Sequence, residues 1–184
     1  MHGMSKKALT CVAALVLVGA TEGFAQVGQL SGVATVALTA TKAPTLTVSP
    51  NASTATLASI TDNSNVNNFT PVSLTTAWNL TGGASVRLIG WFATPAQALA
   101  NGSDFIPSSK VEGRVNATAY APFSANAVGG VGVAGGSLQL FSQSVAGLLF
   151  GTRTDQLDLR LNLAGTTTLA GDYTGTLNLQ AIVQ

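Results

Sequence analysis

Four leucines alternate with polar residues in the stretch Asp155-Gln156-Leu157-Asp158-Leu159-Arg160-Leu161-Asn162-Leu163. A β-strand turns successive side chains to opposite faces, so this pattern predicts a strand over 155–163 with one face buried and one wet. On a helix the same leucines would be scattered around the circumference. The stretch 173–183 repeats the pattern, with Tyr173, Leu177, Leu179, Ala181 and Val183 on one face. Thr174, Thr176, Asn178 and Gln180 occupy the other. Further strands are predicted over 32–41, 45–48, 54–60, 72–80, 85–93 and 137–143, punctuated by Pro44, Pro50, Pro71 and the polar run 61–68. Thr81-Gly82-Gly83-Ala84 predicts a turn between two paired strands, and the run from Pro95 to Ala100 a single helical turn ended by Asn101-Gly102. The connection 164–172 is longer than a tight hairpin turn, so the strands it joins either pair directly or cross between sheets.

These short strands with frequent turns, rich in Thr and Val and without long 3.6-residue stripes, predict an all-β fold. The expected architecture is a single antiparallel immunoglobulin-like β-sandwich, with a β-barrel or jelly roll as the alternative. The Gly- and Val-rich run 125–136 lacks the spacing of a dinucleotide fingerprint, and no helical pattern follows it. It is expected to be a loop or a strand-edge excursion.

The beginning of the chain has a different character. Lys6 and Lys7 precede an apolar stretch from Val12 to Val18, and Phe24-Ala25 offers a small-residue exit. That order predicts a signal peptide over 1–25, cleaved near Ala25, and a single domain over 26–184. The product would be secreted, periplasmic or at the cell surface. Cys11, His2, Met1 and Met4 all fall before that point, and no Cys, His or Met follows it. Histidine-dependent triads, thiol nucleophiles and His or Cys metal sites are thereby excluded from the mature chain, and no disulfide can form within it. Six Lys/Arg residues face six Asp/Glu residues after Ala25, a balance that gives no electrostatic attraction to nucleic acid or an anionic membrane. No run after Ala25 approaches the roughly 20 apolar residues of a membrane-spanning helix.

Chemistry has few places left to reside. Asp155 and Asp158 are three apart and fall on opposite strand faces, with Asp158 on the polar face and Asp155 expected at the strand's exposed beginning. Asp104 and Glu112 flank a loop, and the carboxylates as a group are expected to be solvated surface residues. Asp62-Asn63-Ser64-Asn65, with Asn67 and Asn68, offers oxygen ligands but a single charge, which is poor for calcium. Trp78 and Trp91 alternate with apolar neighbours and read as core, whereas Tyr120, beside Pro122 and Phe123, is the best exposed aromatic. Tyr120 and Trp91 are therefore the candidate ligand contacts, in a carbohydrate-binding reading. Tyr173, after a glycine turn, is expected to pack and to bond its hydroxyl locally. No catalytic residue, cofactor or metal site is expected.

The segment Ala170-Gly171-Asp172-Tyr173-Thr174-Gly175-Thr176-Leu177-Asn178-Leu179-Gln180-Ala181 resembles the closing strand of spore-coat-U-like archaic pilus subunits and related exported bacterial β-sandwich families. The resemblance covers about a dozen residues. It implies a structural, adhesive or fibre-forming surface module, with self-association or a protein partner engaged by strand pairing. Subunits of that kind often carry a disulfide, which this chain lacks after Ala25. They also carry an N-terminal donor segment, for which 29–40 qualifies: Leu30, Gly32, Ala34, Val36, Leu38 and Ala40 share one face. The simpler reading of the same alternation, and the one favoured by the pattern alone, is the domain's own first strand.

Overall fold

The computed structural model describes residues 37–57, 60, 66–147 and 149–184. The chain divides into two compact units, Met1–Ala40 and Thr41–Gln184. Of the first, only 37–40 are described. The expected signal peptide and most of the 32–41 strand lie outside the described residues, as do Asp62, Asn63, Ser64 and Asn65.

The second unit is all-β and antiparallel. Its strands in chain order are β1 (Thr45–Pro50), β2 (Val66–Asn68), β3 (Val72–Asn79), β4 (Ser85–Trp91), β5 (Leu99–Asn101) and β6 (Asp104–Ile106). There follow β7 (Val111–Val115), β8 (Ala121–Pro122), β9 (Ser137–Ser144), β10 (Phe150–Asn162) and β11 (Asn178–Val183). The larger sheet runs β1-β3-β10-β7-β8, with β2 paired to the end of β10; the smaller runs β11-β4-β9; β5 and β6 form a separate hairpin. Residues of both sheets share one apolar cluster, which makes the unit a sandwich.

The leucine alternation that predicts a strand over 155–163 marks the inner half of a longer one. β10 begins at Phe150, and opposite β3 its register pairs Gly151 with Trp78, Arg153 with Thr76, Asp155 with Leu74 and Leu157 with Val72. All eight of these side-chain positions share the inward face. Asp155 is thus not at an exposed strand start. It sits inside the strand at 2% exposure, because the strand starts five residues before the leucine pattern does.

The connection 164–172 crosses between the sheets, since β10 and β11 lie in different ones. So does the turn 81–84: β3 and β4 belong to different sheets and do not pair, contrary to the hairpin expected from its glycines. The expected helical turn shrinks to a 3₁₀ turn, Pro95–Gln97, and Asn101-Gly102 turns the β5–β6 hairpin instead.

β7 is hidden in the sequence by Gly113, which occupies the inward position between Val111 and Val115. The glycine is required by packing. A Cβ there would stand 2.9 Å from the Phe123 ring, which is wholly buried and meets Phe92 edge to face at 5.2 Å. Phe123 fills the space that a side chain at 113 would take.

The smaller sheet is buried on its inner face and covered in part on its outer one. Val86, Leu88 and Phe92 join the inter-sheet cluster, while Ile89 and Val131 are buried without belonging to it. Gly129 lies against Ile182 and Gln184 on that outer face. The glycine-rich run 125–136 is therefore a cover folded over the smaller sheet, tied down by the Ala125–Ser137 and Val128–Val131 bridges.

Candidate functional site: an apolar groove and its strap

β10 runs on past Leu157, where its pairing with β3 ends, and β2 takes up the same side of it at Arg160–Asn162, so the larger sheet is long at this end. The groove lies at that end, past the Asn178 start of β11; β11 itself is flanked by β1. There the inward leucines of β10, Leu157, Leu159 and Leu161, line a groove of about 640 Å³ with Val72, Val111 and Leu179. That volume lies within the usual range for a binding pocket, roughly 300–1,000 Å³. The leucines are nonetheless nearly inaccessible to water, at 2%, 8% and 1% exposure. Two segments without strand structure roof them, 52–57 and 171–177.

The first roof segment overlaps the predicted strand 54–60, which is not a strand in its described part. Its apolar side chains still turn inward, because Ala55, Leu57 and Ile60 pack against the core, though Ile60 falls out of the two-residue period. What it lacks is a ladder. Its bonds to the neighbouring chain are Thr70 N–H to the Thr56 carbonyl at 2.8 Å and Thr56 N–H to Thr70 Oγ1 at 2.9 Å.

The second roof segment belongs to the predicted strand 173–183, of which only Asn178–Val183 is strand. The residues before it are diverted to the β5–β6 hairpin. Thr174 forms a two-way bridge with Ala100, donating to its carbonyl at 3.0 Å and accepting from its N–H at 2.8 Å. Asn101 Nδ2 donates to the Ala170 carbonyl at 3.4 Å, and Leu169 N–H to Asp104 Oδ2 at 2.8 Å. The Tyr173 hydroxyl donates to Asp104 Oδ2 and lies 3.0 Å from the Leu169 carbonyl. Gly175 passes so close to the Ala98 carbonyl that any side chain would collide with it. Residues 169–177 thus form a strap sewn to one hairpin.

The polar end of the strap is electrostatically matched. The Tyr173 hydroxyl, with Leu169 N–H second, holds the Asp104 carboxyl below the usual carboxylate range. Burial pushes the Tyr173 phenol up, and its bond to Asp104 and the charge there push it the same way. The local bonding expected of Tyr173 is present, with Asp104 as the partner from a distant part of the chain.

The two candidate ligand contacts are not brought together. Tyr120 is half-buried on the outer face of the larger sheet, where Arg160 and Arg114 lie 3.9 Å and 4.3 Å from its ring centroid. These arginines pair with Glu112 at 2.5 Å and Asp158 at 3.0 Å. Trp91 is half-buried on the smaller sheet and lies outside the inter-sheet cluster. The reading of Trp91 as core is corrected: Gly90 and Phe92 take the inward places beside it. Trp78 is core, at 6% exposure.

The carboxylates are not a solvated set either. Asp155 receives Arg153 through two bonds of 2.5 and 2.6 Å and Asn116 Nδ2 at 2.7 Å. Arg153 also donates to Gln143 of β9 at 2.9 Å and stacks 4.0 Å over Phe141, so the pair bridges the two sheets. Asp155 and Asp158 fall on opposite faces as the strand period requires. Among the described residues no group of three His, Cys, Asp or Glu side chains is arranged to hold a metal.

No helix among the described residues is long and apolar enough to cross a membrane. No family model matches the chain, and no curated protein matches it.

Proposed function

We propose that this chain is a non-catalytic structural module, exported by way of residues 1–25, that assembles at a cell surface or in the periplasm by strand pairing. The observation that carries this reading is the groove along Leu157, Leu159 and Leu161, roofed by two extended segments that lack ladders of their own. Strand addition supplies main-chain hydrogen bonds at a sheet edge and side chains at every second residue for the pockets behind it. The inward leucines provide the pockets, and the backbone just before Asn178, once extended in line with β11, provides the edge.

The occupant is the segment 29–40 of a second copy. It carries no charge, and its alternating Leu30, Ala34, Val36 and Leu38 present an apolar face at the strand period. A carbohydrate-binding module is the less supported reading. The Tyr120 ring is already engaged by two guanidinium groups, and Trp91 lies on the other sheet.

The test is assembly. Protein purified after export should elute by size exclusion as species that grow with concentration and should form fibres under the electron microscope. A Val36→Asp variant, which places a charge on the donor face, should remain monomeric. Wild-type protein that stays monomeric at every concentration would sink the proposal.

A further inference from the structure

We infer that residues 169–177 are a releasable strap, latched by Tyr173 and Asp104, that controls entry of a strand into the groove. This rests on the strand-pairing reading above and assigns the regulation of that same site. The chain pattern and the fold disagree at one place. Alternation of Tyr173, Leu177, Leu179, Ala181 and Val183 specifies one continuous strand, yet β11 begins only at Asn178. Of the five residues before it, Thr174 commits its backbone N–H and carbonyl to Ala100 of β5, which holds the stretch off the line of β11. Such a segment has a second arrangement open to it, extended in line with β11 beside an added strand.

The bonds that select the first arrangement are concentrated at one carboxylate. Asp104 Oδ2 accepts from both the Tyr173 hydroxyl and Leu169 N–H, and hydrogen bonds to an ionised acceptor are the stronger kind. Gly165 at φ 71° before the strap and Gly171 at φ 153° within it take backbone conformations that other residues rarely adopt. Tyr173 and Leu177 pack against the core, so the strap shields apolar surface while it is latched. Opening it uncovers Leu157, Leu159 and Leu161 and frees residues 173–177 to lengthen β11. The strap keeps the groove closed on a lone chain, and an arriving donor segment completes the sheet only after the latch yields.

The test uses the full chain and a fluorescently labelled synthetic peptide of residues 29–40. Tyr173→Phe removes the donor and Asp104→Ala removes the acceptor, both at half-buried positions outside the core. Each should take up the peptide on the order of ten-fold faster than wild type, the ratio expected from losing one charge-assisted hydrogen bond. Hydrogen exchange at the Thr174 and Leu169 amides should quicken in both variants, while amides of β3 and β10 stay protected. Peptide uptake at equal rates in wild type and both variants overturns the latch but leaves strand pairing standing. Failure of any protein to take up peptide, variants with quickened exchange included, overturns the strand-pairing reading and the latch with it.

Discussion

Arg153 and Asp155 point inward from one strand, where the simplest pattern rule would place apolar side chains. Their register partners are Thr76 and Leu74, and the second sheet answers with Gln143 and the Phe141 ring. A buried carboxylate is tolerable only if its charge and lone pairs are met, and here a two-bond guanidinium and Asn116 meet them. Asn116 takes the left-handed conformation at φ 54°, which asparagine accepts more readily than most residues, and its Oδ1 receives Gln156 N–H at 2.9 Å. Removing one partner should therefore cost far more than removing both. Asp155→Ala is expected to lower unfolding free energy by about 3 kcal/mol in urea titrations, whereas Arg153→Met with Asp155→Leu should lose much less. The Arg114–Asp158 pair on the outer face gives the contrast. With the Arg114 side chain 32% exposed, Arg114→Ala should cost under about 1 kcal/mol. Equal losses at the two pairs would show that the inner pair is not buried as described.

Among the elements, the strap is the one whose stability should follow pH. The Asp104 pKa is lowered in the folded chain, so its contribution is present above the ordinary carboxylate range and lost as pH falls through the lowered value. The Tyr173 pKa is raised, so its contribution is complete below the ordinary phenol range and lost as pH rises through the raised value. The latch is strongest between those limits. Exchange at the Thr174 amide, corrected for the intrinsic pH dependence of exchange, should be slowest across neutral pH and quicken toward strong acid and strong alkali. In Tyr173→Phe the alkaline limb should vanish. An unchanged profile in that variant would place the titration elsewhere. The same element shows what local pattern can reveal. Tyr173 and Leu177 were legible as strand-face residues, but their diversion to β5 depends on Ala100 and Asp104, which lie about 70 residues away in the chain.

At the scale of the whole molecule, the imbalance between the sheets divides the core into a closed part and a groove. Leu74 belongs to the closed part, wholly buried opposite Pro50 and Asp155. Leu159 is buried too, but one side of it faces the groove. Truncating a buried leucine costs roughly 2–5 kcal/mol, depending on how much packing is lost around it. Leu74→Ala should fall toward the upper end and Leu159→Ala toward the lower, by urea denaturation of the monomeric protein. Assembly through the groove should reverse that order, because an added strand would then pack on Leu159. The same costs in the monomeric and assembled states would argue against occupancy of the groove.

The sequence by itself determined the all-β class, most of the long strands and which side chains of β10 and β11 face inward. Those properties follow from a period of two, which the chain carries locally in every few residues. It also determined the shortage of catalytic side chains after Ala25. Only the tertiary structure decided which strands pair, because the turn at 81–84 reads the same whether it closes a hairpin or steps between sheets. Only the fold hid β7 behind Gly113 and buried Asp155, since each depends on a neighbour distant in sequence, Phe123 and Asn116; packing likewise decided which face of β4 turns inward, and so left Trp91 outside the core. The groove is likewise a property of two sheets of unequal extent, since β10 runs on where β11 has not yet begun. No local pattern records a strand that is missing from the place where one would fit.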